Sequence, residues 1–218
     1  MQQQDFIMGG YYRDRLFVTK HALREFIASR KDRRGDRYGL DRLGLICYAR
    51  YAWTQCPLTL DYDVLQRELD RAEIVTDRRR DGTAIGSAIG LAVRRLSQSE
   101  AKSKVIVLLT DGLNNRGELD PITAARMSQE YGIRIYTIGV GATDNGVLPG
   151  IGHLPLLGQT IDEEGLKRIA DITGGQYYHV TNTEALQMAY ADIATLEATE
   201  IEIGDYYEFK EAHMPWLI

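Results

Sequence analysis

The run Val105-Ile-Val-Leu-Leu109 carries no polar alternation and ends on Thr110, Asp111 and Gly112. A strand with one wet face alternates apolar and polar residues. A continuous, branched, apolar run instead needs cover on both faces, as in a parallel sheet lying between helices. Such sheets gather ligand sites where the carboxyl ends of strands meet their loops, and Asp111 stands at such an end. Two readings of Asp111 follow: a turn aspartate, since Asp-Gly is common turn chemistry, or a metal or substrate carboxylate.

Helical and strand patterns alternate along the rest of the chain. Residues 16–27 place Leu16, Phe17, Leu23, Phe26 and Ile27 on an amphipathic helix, and residues 30–41 are a charged connector. Residues 43–49 and 52–58 read as strands, the second stopping near Pro57, and are expected to pair as an antiparallel edge hairpin. Residues 61–72 form a helix with Val64, Leu65 and Leu69 inward. In "DGTAIGSAIGLAVRRL", Gly82, Gly86 and Gly90 recur every four residues and make one stripe on a helix. An interior glycine costs roughly 1 kcal/mol relative to alanine, so the stripe predicts close approach of that helix to a sheet. Helices over 121–131, 162–173 and 182–196 alternate with strands over 134–140 and 176–180. The Gly- and Pro-rich loop 141–160 is long enough to be functional. The expected fold is α/β: a Rossmann-like, doubly wound, mostly parallel sheet with an antiparallel edge strand, in one domain.

Composition narrows the function. The 218 residues carry a net charge of −5, which provides no global field for nucleic acid or anionic lipid. Cys47 and Cys56 make no disulfide framework, and the four scattered histidines offer no zinc spacing. The first five residues lack the basic and apolar regions of a signal peptide. No apolar span approaches the ~20 residues that cross a bilayer. The chain turns apolar and aromatic over 213–218, which reads either as the approach to a membrane segment or as a loose tail.

Two positions offer hard oxygen ligands at loops on the carboxyl edge: Thr83 in "DGT", opening a helix, and Asp111 in "TDG", closing a strand. Mg2+ prefers octahedral oxygen coordination with few carboxylates and retained waters. A phosphate loop is the rival for the glycine-rich segment, but GxxxxGK[ST] needs a lysine that is absent. Asn114, Asn115 and Glu118 read as site rim or as a capped helix entry, and Asp81 as a second layer or a loop residue. Asp61 and Asp63 read as helix caps, Arg78-Arg79-Arg80 as a solvated loop, and Arg34-Gly35-Asp36 as an incidental turn.

The stretches "TQCPLTLDYDVL", "DGTAIGSAIGLAVRRL", "SKVIVLLTDGLNNRGELDPITAA", "YGIRIYTIGVG" and "IDEEGLKRIADITGGQYYHVT" together resemble a von Willebrand factor A domain, and within that family the Bat-type, aerotolerance-associated bacterial membrane proteins. The resemblance implies a metal-ion-dependent adhesion site: a DxSxS motif on the first strand, a threonine on a second loop and an aspartate on a third. It assigns Thr83 and Asp111 to the last two roles. No DxSxS precedes Thr83 in this sequence. The expectation is therefore that the chain begins just after that motif, without the first central strand and three of the five ligands. A central gap should result, unless strand 43–49 slides across to pair with strand 105–109. Relatives place membrane helices on both sides of this domain.

The resulting expectation is a domain over residues 1–203 and a tail over 204–218. It is a Mg2+-dependent, protein-binding module of a membrane-anchored bacterial protein, with a partner carboxylate completing the metal site. It is not an enzyme. The alternatives are a domain with no competent metal site, and a phosphoryl-transfer or hydrolytic enzyme using Asp111; the latter lacks a DxD, a Ser-His-Asp grouping and a nucleophile elbow.

Overall fold

The computed structural model describes residues 1, 6–8, 11–31, 41–77, 79–141 and 161–212. The connector with Arg34-Gly35-Asp36, Arg78, most of the loop 141–160 and residues 213–218 lie outside them. A short antiparallel pair, β1 (Phe6–Met8) and β2 (Tyr11–Arg13), leads into helix α1 (Arg15–Lys31). An antiparallel hairpin follows, β3 (Leu43–Tyr48) and β4 (Ala52–Thr59), then α2 (Tyr62–Arg71) and α3 (Ile85–Leu96). The rest alternates: β5 (Val105–Thr110), α4 (Pro121–Glu130), β6 (Arg134–Val140), α5 (Glu163–Thr173), β7 (Tyr177–Val180) and α6 (Thr183–Ala212). Strands β5, β6 and β7 form a parallel sheet in that order. The chain is thus α/β and Rossmann-like, with the expected antiparallel hairpin.

Helices cover both faces. Val105, Val107 and Leu109 of β5 pack with Val18 and Ala22 of α1 and Leu186, Ala189 and Ile193 of α6. Ile106 and Leu108, pointing the other way, pack with Ile85 and Ile89 of α3, Ala124 and Ala125 of α4, and Leu166 and Ile169 of α5. This two-sided cover is why the run 105–109 has no polar alternation. Phe6 anchors the β1–β2 pair, which the sequence reading did not find, in the first cluster.

Helix starts follow local chemistry. Asp61 accepts from the Asp63 and Val64 amides, Asp120 from the Thr123 amide ahead of Pro121, and Asp162 from the Gly165 amide. Gly174, at φ 73°, closes α5 in the left-handed conformation. Asp63 is a first-turn residue of α2 rather than its cap.

The glycine stripe has a different partner from the one expected. Helix α3 begins at Ile85, so Gly82 lies in the preceding loop. A Cβ on Gly86 would stand 2.0 Å from the Leu119 carbonyl oxygen, and one on Gly90 2.7 Å from Leu119 Cδ2. The close approach is to the loop entering α4, not to a sheet. Helix α6 also runs past the expected end at residue 196. Cys47 and Cys56 are both free; they stand opposite Trp53 and Leu45, not each other.

Among the described residues no strand lies between β3 and β5, and the two share no ladder. A cleft of about 1470 Å³ separates them instead. Strand β6, flanked on both edges, is buried at every residue from Ile135 to Val140, whereas in β5 only Leu108 and Thr110 are fully buried.

Candidate functional site

The carboxyl end of β5 meets two other loops. Thr110 exchanges side-chain hydrogen bonds with the Gly112 main chain, which turns the chain out of the sheet. In the segment that follows, the Asn114 carboxamide oxygen accepts from the Ile85 amide at 2.9 Å and the Asn115 carboxamide oxygen from the Thr83 amide at 2.9 Å. The Asn115 and Arg116 amides donate back to the Thr83 carbonyl at 3.1 and 3.3 Å. Helix α3 has no side-chain cap of its own, so Asn114 supplies one from another loop. The Ala84 amide donates to the Ala49 carbonyl at 2.8 Å, which ties in the end of β3. Gly82, at φ 142°, has no room for a side chain: its Cβ would lie 2.4 Å from Arg116 Cγ.

Thr83 and Asp111 therefore sit on loops that are stitched together, and both line the carboxyl end of the cleft. Asn114 and Asn115 act as backbone anchors there. Their double role, amide-rich residues after a strand and ahead of a helix, was open in sequence; which amides they hold was not. Asp81 and Glu118 are exposed.

The electrostatics around Asp111 were not foreseen. The Met1 ammonium makes an ion pair with Asp111 Oδ2, and Arg15 Nη1 stands 3.6 Å from the same oxygen. Asp111 and Arg15 are 16% and 5% exposed at their side chains, so this charge is poorly screened. The Arg15 guanidinium lies close against Gly141, where a Cβ, if present, would stand 2.9 Å from Arg15 Nη2. Across the cleft, the Tyr48 hydroxyl donates to the Leu109 carbonyl at 2.6 Å. Burial pushes the Tyr48 phenol up to about 12, with a hydrogen bond to Thr110 acting weakly the other way.

A divalent cation implied by the family can be tested against this donor set. Asp111 and Thr83 supply one carboxylate and one hydroxyl, and two cations already flank the carboxylate. Among the described residues no group of three or more His, Cys, Asp and Glu side chains is placed to hold a metal ion. The donors are of the right kind for Mg2+ but too few, since Mg2+ demands near-octahedral oxygen coordination.

Residues 17–192 match the von Willebrand factor type A domain. An uncharacterised protein of Borreliella burgdorferi is 28% identical over 211 residues, covering 94% of this chain and 59% of that protein. The chain thus spans little more than half the length of this curated relative. Among solved structures, the conserved hypothetical protein BatB from Bacteroides thetaiotaomicron aligns with a TM-score of 0.64 at 27% identity, over 89% of this chain and 93% of that one. An aerotolerance-related membrane protein from Bacteroides fragilis aligns with a TM-score of 0.61 at 28% identity, over 87% and 92%. Proximal thread matrix protein 1 from the mussel byssus, solved with zinc in its MIDAS motif, shares the fold at a TM-score of 0.58 and 17% identity, over 81% and 41%. The chain belongs to the von Willebrand factor type A domain family and is similar to its Bat-type, aerotolerance-related bacterial members.

Proposed function

We propose that the protein is a metal-ion-dependent, protein-binding module of a membrane-anchored bacterial protein, with Thr83 and Asp111 as its own ligands to Mg2+. The observation that carries this reading is the stitching of the Thr83 loop to the segment after Asp111, which holds a hydroxyl and a carboxylate at one end of one cleft. Further oxygens, from a DxSxS strand and from a partner carboxylate, complete the shell. The family supports interaction rather than turnover. Membrane anchoring is supported by the relatives described as membrane proteins, through segments other than the described residues, in which no helix is long and apolar enough to cross a membrane. The mussel protein with zinc in its MIDAS motif supports a divalent cation as the ligand class.

A second reading, a domain without a competent metal site, draws on Arg15 beside Asp111. Calorimetry separates the two. The chain is compared with a longer form carrying an amino-terminal apolar strand that ends in DxSxS. The longer form is expected to bind Mg2+ at least tenfold more tightly, and Asp111→Ala or Thr83→Ala should abolish that gain. A longer form that binds no metal, or one indifferent to Asp111→Ala, overturns the proposal.

A further inference from the structure

The arginine-rich loop ahead of Thr83 is fixed to two neighbours. The Arg50 amide donates to the Arg80 carbonyl at 3.1 Å, which lays the loop against the tip of the β3–β4 hairpin. That tip is a tight turn, closed by the Ala49 amide on the Tyr51 carbonyl at 3.0 Å. Two residues beyond Arg80, Gly82 packs against the stem of Arg116, where a Cβ would stand 2.4 Å from Arg116 Cγ. Arg50, Arg80 and Arg116 come from three segments distant in sequence. These contacts bring them to one rim, at the carboxyl edge of the sheet beside Thr83.

The rim has charge to spare. Arg80 and Arg116 are exposed; Arg50 is half-buried, with its guanidinium 5.9 Å from the ring of the exposed Tyr51. Arg116 gives one donor to the Asn115 carbonyl at 2.9 Å. None of the three makes an ion pair among the described residues, whereas Arg79 beside them is paired with Asp77. Asp81 and Glu118, exposed carboxylates on the same loops, pair with none of them, and Asp120 is committed to capping α4. A guanidinium is always charged, and its planar fork of donors matches a carboxylate two bonds at a time. The chain as a whole carries a net charge of −5, so this rim is a local exception on a surface that repels acids. Polybasic segments that hold anionic lipid gather about four to eight Lys and Arg. Three arginines with two carboxylates among them suit a short acidic chain better than a membrane.

We propose that this rim is a docking surface for an acidic segment of a partner protein, whose Asp and Glu carboxylates pair with Arg50, Arg80 and Arg116. The inference rests on the reading of the carboxyl edge as the partner-facing end and names the partner's chemistry there. One carboxylate of the partner completes the metal shell, and its neighbours in the chain go to the arginines. The arginine contacts need no metal, so they are measurable without it.

The test is fluorescence anisotropy of a labelled peptide of about eight Asp and Glu residues, which at ~3.3 Å per residue spans the rim. Chelator is present throughout. Saturable binding is expected at low salt and should weaken as salt is raised, because exposed charges are screened. Exposed ion pairs are individually weak, so Arg50→Gln, Arg80→Gln and Arg116→Gln should each weaken binding about two- to fivefold. The triple variant should lose at least about tenfold. Arg168→Gln, which removes the same charge from α5, should leave binding unchanged. Arg116→Lys keeps the charge and should bind more tightly than Arg116→Gln. Equal losses for those two would trace the effect to packing against Gly82 and overturn the proposal. Absence of saturable binding at low salt, or a loss in Arg168→Gln as large as in the rim variants, also overturns it. So does tighter, rim-dependent binding of phosphatidylserine vesicles or of a single-stranded oligonucleotide than of the peptide. With chelator present, failure of the metal reading leaves these results unchanged, and loss of the arginine dependence leaves the metal reading standing.

Discussion

Tyr48 and Leu109 are joined by a 2.6 Å hydrogen bond from a side-chain hydroxyl to a main-chain carbonyl, across two strands that share no ladder. A strand-edge carbonyl would ordinarily be satisfied by a neighbouring strand, and here a phenol takes that place. Tyr48→Phe leaves the carbonyl to water or to nothing. The expected cost is about 1–2 kcal/mol, read as a lower urea midpoint at unchanged slope. A midpoint unchanged within error would mean that water already serves the carbonyl.

The same phenol, with Tyr136 and Tyr177, predicts alkaline weakness. Burial pushes all three up to about 12; the Glu197 carboxylate adds to this at Tyr136 and the Glu163 carboxylate at Tyr177. A folded pKa above the ordinary value near 10 means that the folded state holds its proton more tightly. The associated stability is therefore complete below about pH 10 and is lost as pH rises toward 12. Urea midpoints measured from about pH 8 to 11.5 should be level at first and then fall. A level profile throughout would contradict the burial of these phenols.

Glu197 gathers three partners at the opposite end of the sheet. Its carboxylate accepts from Arg134 at 2.6 Å, from Tyr136 at 2.7 Å and from Ser103 at 2.8 Å. This fastens α6 to the amino ends of β5 and β6. Glu197→Ala should cost about 1.5–3 kcal/mol, the range for hydrogen bonds to a charged group. Glu197→Gln should recover part of that, because the amide oxygen still accepts. Equal losses for the two variants would show that packing, not charge, holds the helix.

Gly86 and Gly90 separate two kinds of crowding. A methyl on Gly86 meets the main chain at the Leu119 carbonyl oxygen, which has little freedom, whereas one on Gly90 meets the end of the Leu119 side chain, which can turn. Gly86→Ala is expected to cost at least the ~1–3 kcal/mol typical of overpacking. Gly90→Ala should come out near neutral, since alanine also gains roughly 1 kcal/mol of helix propensity. A Gly86→Ala variant as stable as the parent would place α3 farther from that loop than described.

The order of elements was legible in the sequence because each signal is local. The apolar run 105–109 and the Asp61 cap both act within a few residues. The β1–β2 pair was not legible: its strands have three residues each, shorter than any period test resolves. The partner of the glycine stripe was missed because a stripe reports close approach without naming what approaches. At the candidate site, Thr83 and Asp111 were legible as oxygen-bearing residues at loop ends, and their loops meet at one end of the cleft. The cations beside Asp111 were not, since Arg15 is 96 positions away in sequence and reaches it only through the packing of α1. The open slot between β3 and β5 followed from the family resemblance rather than from any feature of the residues lining it.

That slot carries the last prediction. Strand β6 is buried along its length, whereas Val105, Ile106, Val107 and Leu109 of β5 keep part of their surface exposed. Each large apolar side chain fully buried contributes about 1.5–3 kcal/mol, and a domain's whole net stability is about 5–15 kcal/mol. Completing the burial of four such residues, even by a fraction, is comparable with that margin. The chain over residues 1–218 is thus expected to melt broadly and to bind a hydrophobic dye. The form extended by an apolar strand ending in DxSxS should melt sharply, exclude the dye and show a larger denaturant slope, since more surface is hidden in its folded state. Asp111→Ala in the extended form should leave the sharp melt intact while removing its dependence on Mg2+, because strand packing and metal binding use different atoms. A sharp melt of the shorter chain, with no change on extension, would mean that β3, β5 and the helices over them already close the core without a further strand.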